Sequence, residues 1–173
     1  VGEQKIAHAA PMLSLDKCRT SEEIVEWMAG EACVVSDKMD GSSASLVYRE
    51  GGFAIAKTRG DGTYGENLTA HFAHLAIPKL LTSQALRGRD VEIRGEVCIS
   101  KSKFEQLSDE MERRQLARPS SIRNIVAGLF HRKDDFDLCS YLDFFAYELI
   151  AEVEIASEQE KFALLEREGF VLP

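Results

Sequence analysis

The sequence predicts an α+β fold in which helices flank a largely antiparallel sheet. Strand-like runs are joined by turn signals, and the Gly51-Gly52 pair between two of these runs is the clearest hairpin connection. Segments with apolar residues at helical spacing interrupt the runs without a regular alternation of strand and helix, which a doubly wound parallel sheet requires. With 173 residues, 45% of them hydrophobic, the chain is long enough to bury a core.

The first part of the chain is predicted to contain one helix and three strands. Thr20 and Glu23 form a capping box and Gly30 is a helix stop, so residues 21–29 are predicted to be helical. Apolar, β-branched runs predict strands over residues 32–38, 43–50 and 53–58. A glycine-rich loop then follows over residues 59–65.

The remaining elements are predicted from helical spacing, capping residues and alternation. One helix before Pro78 is marked by apolar residues at Leu68, Phe72 and Leu75. Strands are predicted over residues 91–99 and 142–150. Capping residues at Ser102 and Ser157 begin two helices, and Gly169 ends the second. The clearest amphipathic helix carries its apolar face on Ile122, Ile125, Val126, Leu129 and Phe130.

The charge balance argues against a free-standing nucleic-acid binder. The chain has 21 Lys and Arg against 29 Asp and Glu, a net charge of −8, whereas such binders usually carry the opposite sign. Only the stretch from Arg87 to Lys133 is locally basic. The sequence has no apolar run of about 18 residues and no basic and apolar leader, so we expect neither a membrane partner nor a secretion signal.

The four cysteines are spaced unlike zinc ligands. We expect all four to be reduced and the protein to be cytoplasmic. Cys33 and Cys98 lie in strand-like apolar runs, where buried free thiols are common, so burial is expected for both.

The loop Gly60-Asp-Gly-Thr-Tyr-Gly65 matches the GxGxxG spacing of a dinucleotide-binding turn. We do not interpret it as that fingerprint, because Asp61 would repel a pyrophosphate and the preceding strand closes a hairpin instead of opening a βαβ unit. The glycines predict a tight loop with positive φ angles.

Two segments carry residues suited to phosphate chemistry. Lys38 ends a predicted strand, where a neutral amine is a nucleophile, and Asp40 can orient it or help to hold a metal. An ordinary surface Lys before an Asp-Gly turn explains the same residues. Glu92, Arg94 and Glu96 alternate on one strand face, which is typical of a solvated face, although a carboxylate facing a cleft binds ribose or Mg²⁺.

Aromatic and histidine residues give less specific signals. The run Phe144-Phe-Ala-Tyr147 is more typical of a core than of a base-stacking platform. His71 and His74 have no Cys or carboxylate at metal-ligand spacing, so they are interpreted as a helix surface.

Six segments of the chain form an ordered set of motifs: HAAPMLSLDK at 8–17, DKMDG at 37–41, TRGDGTYGENLT at 58–69, VEIRGEV at 91–97, RNIVAG at 123–128 and LDFFAY at 142–147. They resemble, in the same order, the HxxPMLSLxN, KxDG, TRGDGxxGExxT, LEVRGEV, RNAAAG and LxFFxY motifs of the adenylation domain of bacterial NAD-dependent DNA ligases. The resemblance covers residues 8–173 and implies a nucleotidyltransferase core of the ATP-grasp-like ligase type.

The resemblance implies roles for individual residues. Lys38 would attack the α-phosphate of NAD and carry AMP as a phosphoramidate, with Asp40 as a second catalytic residue. Asp40 and Glu96 would support Mg²⁺. AMP would then pass to the 5′-phosphate of nicked DNA, which Arg123 and Arg132 would contact. The nucleotide would be held by Ser14, Leu15, Ser36, Lys38, Arg59, Glu96 and Tyr147, with Tyr147 stacked on adenine.

The resemblance also predicts how much of a ligase is present. We expect residues 1–173 to form a single adenylation domain, incomplete at both ends relative to the family, with the other ligase domains in the same chain or on a second one. This chain alone is not expected to seal nicks. The family has Glu where this chain has Ser36, so we expect weaker discrimination of adenine. Two alternatives remain: an ATP-dependent polynucleotide ligase core, and a non-catalytic nucleotide-binding or partner-docking fragment.

Overall fold

The computed structural model describes residues 5–173, so residues 1–4 of the predicted domain lie outside the described part. Its strands are β1 (Lys5–Ala7), β2 (Ser42–Arg49), β3 (Gly52–Thr58), β4 (Tyr64–Glu66), β5 (Val91–Cys98) and β6 (Asp143–Ala151). Its α-helices are α1 (Ser21–Met28), α2 (Thr69–Phe72), α3 (Lys101–Arg113), α4 (Ile122–Phe130) and α5 (Glu158–Arg167), and a 3-10 helix spans Phe136–Tyr141. Within these residues, no helix is both long and apolar enough to cross a membrane.

An antiparallel four-stranded sheet in the order β3-β2-β5-β6 forms the centre of the fold, and β1 and β4 pair separately. The prediction of a mixed helix and strand fold with antiparallel sheets is confirmed. Because side chains alternate across a strand, each face has its own chemistry. Leu46 and Ile93 are opposite each other in the register and fully buried on the apolar face. Helices α3, α4 and α5 contribute Leu107, Val126 and Leu165 to the same core.

The local signals in the sequence identify several element boundaries correctly. The Thr20 hydroxyl accepts a hydrogen bond from the amide of Glu23, and that of Ser157 accepts from the amide of Glu160. These contacts satisfy amide groups that the first turn of a helix leaves without partners. The β2–β3 hairpin turns through Glu50 and Gly51, both with positive φ, and Gly169 follows α5 with a φ of +93°.

The strand expected over residues 32–38 is wrong. Residues 31–40 have no regular structure, and both Val35 and Cys33 are exposed. The run has β propensity but pairs with no other strand of the described chain, and a strand is stable only when its backbone groups are paired. Cys98 is buried in β5, as expected.

Three other local expectations need correction. The helix predicted to run towards Pro78 is a single turn, α2, although its predicted apolar residues are buried. Helix α3 is capped by Ser100, whose hydroxyl accepts from the amide of Lys103, and not by Ser102. His71 is not on a helix surface: it is buried, with its ring edge-to-face against Phe136 at 4.6 Å. The burial of His71 arises from packing against segments that are distant in sequence.

Candidate active site on the polar face of the sheet

The second face of the four-stranded sheet is polar and is crossed by the start of the chain. Register places Ser45 opposite both Lys57 and Arg94 on this face. We call residues 8–14 the N-terminal strap. The amide of His8 donates to the carbonyl of Thr63 and the amide of Met12 to that of Gly62, each at 2.9 Å. The strap is therefore tied to the glycine-rich loop that follows β3.

Charged side chains beneath the strap are buried, which corrects the expectation of a solvated strand face. Glu92 is 5% and Arg94 8% exposed. Arg94 donates to the carbonyl of Pro11 at 3.0 Å and from Nε to Glu92 at 2.8 Å. Lys57 donates to the carbonyl of Ala7 at 2.9 Å. Buried charges of this kind persist only when they are paired and hydrogen-bonded, and the strap supplies part of that pairing.

The pKa values within this buried cluster follow from competing effects. Burial raises the pKa of the Glu92 carboxyl, but hydrogen bonds from Arg94 and Ser45 and the charges of Lys57 and Arg94 outweigh it, so its pKa is below the usual value. Burial lowers the pKa of Lys57, and Glu92 opposes that shift. Burial and the charge of Lys57 also lower the pKa of His8. A neutral His8 and a charged Glu92 are therefore favoured near pH 7.

The glycine-rich loop has the tight geometry that its sequence predicts. Gly60 and Gly62 have φ values of +56° and +91°, which side chains other than glycine rarely adopt. The Asp61 carboxylate accepts from the amides of Tyr64 and Thr63 at 2.8 Å, and these bonds lower the pKa of Asp61. Asp61 therefore folds the loop on itself. This geometry agrees with the prediction of a tight loop instead of a dinucleotide-binding turn.

The loop begins at Arg59, which the structure brings to the strap. Nη1 of Arg59 donates to the hydroxyl of Ser14 at 3.3 Å, although 45 residues separate the two. Both residues were predicted to hold the nucleotide. Leu15 and Ser36, also in that predicted set, are exposed.

The DKMDG segment is fastened to β5 just before β2 begins. The backbone amide of Gly41 donates to Oε1 of Glu96 at 3.1 Å, and the hydroxyl of Ser43 donates to Oε2 at 2.6 Å. A Cβ at Gly41 would lie 2.0 Å from the carbonyl oxygen of Val97, so only glycine fits there. Lys38, three residues earlier, is exposed. Glu96 thus controls where the segment that carries Lys38 leaves the sheet.

The two arginines predicted to contact nucleic acid have different surroundings. Arg123 at the start of α4 is largely exposed, and its Nη2 lies 2.8 Å from Asp40. An exposed pair of this kind contributes little stability, so its guanidinium can exchange partners. Arg132 is less accessible and donates to Asp134 at 2.9 Å and to Asp135. Arg123 is therefore better placed than Arg132 for contact with a phosphate.

Tyr147 lies on the polar face of β6, because it alternates with the buried residues Phe144 and Ala146. The β5–β6 register shifts between Arg94 and Gly95, and Tyr147 is the β6 residue left without a register partner. Burial raises the pKa of Tyr147, a hydrogen bond with Ser43 opposes the shift, and the charge of Glu96 adds to it. Phe144 in the same run is buried in the core. The FFAY run thus contributes both to the core and to the polar face.

The carboxylates near the DKMDG segment do not form a ready-made metal centre. Among residues 5–173, no group of three or more His, Cys, Asp or Glu could hold a metal ion. Asp40 pairs with Arg123, and both oxygens of Glu96 accept hydrogen bonds from the chain. Mg²⁺ is usually held by one or two carboxylates together with substrate phosphates. The residues present therefore fit a Mg²⁺ ion that arrives with a nucleotide.

Several residues of this face were not predicted as site residues: His8, Ser43, Lys57, Glu92 and Arg94. The sequence feature that could have identified most of them is the presence of charged residues inside strands, at positions that alternate with buried apolar ones. Alternation shows that they share a face but not that another segment covers it, because the covering strap lies far away in sequence.

Comparison with known proteins agrees with the motifs. Residues 3–173 match the family described as the NAD-dependent DNA ligase adenylation domain. The chain is 34% identical over 186 aligned residues to a DNA ligase of Koribacter versatilis. This alignment covers 98% of the chain and 28% of that protein. It is 35% identical to a DNA ligase of Acidobacterium capsulatum, over 87% of the chain and 25% of that protein. A DNA ligase of Rhizobium etli is 38% identical, over 82% of the chain and 21% of that protein.

The chain thus spans about a quarter of the length of these relatives. The family match extends over nearly the whole chain and includes every segment of the polar face described above. This chain belongs to the NAD-dependent DNA ligase adenylation domain family.

Proposed function

We propose that the chain transfers AMP from NAD to Lys38 as the first step of DNA ligation. The observation that carries the proposal is the hydrogen bond from the amide of Gly41 to Oε1 of Glu96, at 3.1 Å. It fastens the KMDG turn to β5 close to Ser43, whose carbonyl accepts from the amide of Arg59. Phosphoryl transfer depends mainly on positioning and charge neutralisation, which is what these residues offer. The antiparallel sheet and its polar face would then serve as a ligase-type nucleotidyltransferase core formed by residues 1–173.

In the proposed step, the neutral Nζ of Lys38 attacks the α-phosphorus of NAD. A phosphorus–nitrogen bond forms, the bond to the bridging oxygen breaks, and nicotinamide mononucleotide leaves with the electron pair. One proton leaves the Nζ of Lys38 for the surrounding water, since Lys38 is exposed. Arg59 would neutralise phosphate charge, and the partly buried ring of Tyr147 would stack on adenine, as aromatic side chains do with the π-faces of bases. Ser14, Leu15, Ser36 and Glu96 would complete the nucleotide contacts.

Mg²⁺ fits this proposal as a partner of the substrate phosphates, held by Asp40 and Glu96. Its chemistry would be to neutralise charge on the phosphates during transfer. Before the nucleotide binds, Asp40 pairs with Arg123, and Glu96 holds Gly41 and Ser43. Those contacts hold both carboxylates in place next to the KMDG turn.

The later steps would involve nicked DNA and parts of a ligase beyond this chain. AMP would pass to the 5′-phosphate at the nick, and the 3′-hydroxyl would displace it. Arg123, which is exposed, would contact DNA, with Arg132 as a second candidate. A net charge of −8 opposes the phosphate contacts that dominate DNA affinity. We therefore propose that sealing requires other ligase domains, in the same chain or on a second one.

Labelled donors test the proposal and separate it from its alternatives. The purified chain is incubated with Mg²⁺ and NAD, or with ATP, both labelled in the adenylate, and the products are run on a denaturing gel. We expect label from NAD on the protein and, by mass spectrometry, on Lys38. The Lys38→Ala variant should take up no label, whereas Lys101→Ala, a change at another exposed lysine, should behave as the unmodified protein.

Other outcomes identify the alternatives. Label from ATP alone would favour an ATP-dependent polynucleotide ligase core. Absence of label from both donors, with AMP still bound, would favour a non-catalytic nucleotide-binding fragment. Label that persists in Lys38→Ala would disprove the assignment of the nucleophile.

A further inference from the structure

We propose that Arg94 is a positioning residue: it clamps the N-terminal strap onto the sheet and thereby holds Ser14 against Arg59. This inference rests on the proposed function, because the Ser14–Arg59 pair belongs to the proposed nucleotide site. Arg94 itself lies beneath the strap, 8% exposed, and acts on that site through the backbone of the strap.

All three nitrogens of the Arg94 guanidinium donate hydrogen bonds in this clamp. Nη1 donates to the carbonyl of Pro11 at 3.0 Å, Nη2 to that of Ala10 at 2.5 Å, and Nε to Glu92 at 2.8 Å. Two successive carbonyls of one segment are thus bound by one planar fork. A lysine ammonium is a point charge and does not reproduce this arrangement.

The carboxylate of Glu92 anchors the clamp from below. Oε1 of Glu92 accepts from the hydroxyl of Ser45 at 2.9 Å as well as from Arg94, and Oε2 lies 3.9 Å from Nζ of Lys57. Lys57 in turn donates to the carbonyl of Ala7, just before the strap. The three strands β2, β3 and β5 therefore each contribute one side chain to the base on which the strap rests.

The strap is also bound to the loop that begins at Arg59. The amides of His8 and Met12 donate to the carbonyls of Thr63 and Gly62, whereas Arg94 donates to the carbonyls of Ala10 and Pro11. The strap therefore bridges β5 and the glycine-rich loop. Ser14 lies two residues beyond Met12, and its hydroxyl accepts from Arg59 at 3.3 Å. Without the Arg94 contacts the strap would be held mainly by the loop, and the position of Ser14 relative to Arg59 would be less restricted.

The experiment compares Arg94→Lys with Arg114→Lys in the full chain. Arg114 is a matched control because it also makes several ion pairs, with Glu110 and Asp137, but it lies at the C-terminal cap of α3. Hydrogen exchange is measured at the amides of His8 and Met12 and at core amides of β5. AMP affinity is measured by calorimetry, and the KM and kcat of lysine adenylation are measured in parallel.

The proposal is supported when the following results occur together in Arg94→Lys. The His8 and Met12 amides exchange faster, the β5 amides do not, and the Kd for AMP and the KM for the donor rise about tenfold, a size typical of a small misplacement of binding groups. The kcat stays within about twofold, since Lys38 is held through Gly41 and not through the strap. Arg114→Lys changes none of these values.

Unchanged exchange at His8 and Met12 in Arg94→Lys would overturn the clamp. Faster exchange with unchanged AMP affinity would overturn its connection to the nucleotide site. Equal acceleration of the β5 amides would show a general loss of stability and would overturn a positioning role. If the unmodified chain neither binds AMP nor accepts label, the proposed function fails, and the exchange measurement still decides whether Arg94 holds the strap.

Discussion

Glu96 accepts a hydrogen bond from the backbone amide of Gly41 at 3.1 Å across 55 residues of sequence. This contact joins the predicted nucleophile segment to the central sheet. The second carboxylate oxygen of Glu96 accepts from the hydroxyl of Ser43 at 2.6 Å, so each oxygen of Glu96 has a donor. Each of the two contacts requires an acceptor oxygen on Glu96, so a substitution that removes one acceptor tests the role of Glu96 in positioning the Lys38 segment.

Glu96→Gln is expected to slow lysine adenylation about tenfold or more. The amide group of Gln offers one acceptor, so either Gly41 or Ser43 would face an NH₂ group, and a lost hydrogen bond to a charged group costs about 1.5–3 kcal/mol. The measurement is the single-turnover rate of AMP transfer to Lys38. Glu105→Gln on the exposed side of α3 is the control. An unaltered rate in Glu96→Gln would remove Glu96 from the site.

Gly95→Ala is expected to destabilise the fold by about 2 kcal/mol or more, because overpacking of a filled site forces shifts in backbone and rings. A Cβ there would lie 2.4 Å from the Phe145 carbonyl oxygen and 2.4 Å from the Phe144 ring. Gly128→Ala in α4, where an added Cβ would meet nothing within 4 Å beyond the backbone of its own helix, should instead stabilise by about 0.5–1 kcal/mol. Urea unfolding measures both. Equal stability of the two variants would contradict the close packing at Gly95.

The stability of the chain is expected to fall in acid partly through Glu92. The folded-state pKa of Glu92 is below its usual value of 4.5, so its contribution is fully present above that pH and is lost as pH falls through the lower folded-state pKa. We expect Glu92→Gln to be less stable than the unmodified chain at pH 7, with a difference that shrinks below about pH 4.5. Unfolding free energies from pH 3 to 7 test this. A difference that stays constant over that range would show that the charge of Glu92 is not involved.

Tyr147→Ala is expected to weaken AMP binding by about 1–3 kcal/mol, the usual value of base–aromatic stacking. Tyr147→Phe keeps the ring and should retain most of the affinity, which separates stacking from the hydroxyl contact with Ser43. Calorimetric titration with AMP measures both. Equal affinity of Tyr147→Ala and the unmodified chain would assign Tyr147 a packing role only.

Much of the local structure could be predicted because its causes lie within a few residues. The capping contacts of Thr20 and Ser157, the hairpin at Gly51 and the positive φ angles of Gly60 and Gly62 depend on short-range hydrogen bonds and backbone sterics. The ordered motifs identified the family for the same reason, since they are strings of adjacent residues. Arg59, Glu96 and Tyr147 were therefore named as site residues from the sequence.

Only the tertiary structure decided which of these residues meet and which charges are buried. The burial of Glu92 and Arg94 depends on a strap about 80 residues away, and the contact of Tyr147 with Ser43 joins residues about 100 positions apart. Residues 32–38 have strand propensity but no strand beside them. In each case the deciding hydrogen bonds join distant parts of the chain, whereas sequence patterns report only on neighbours.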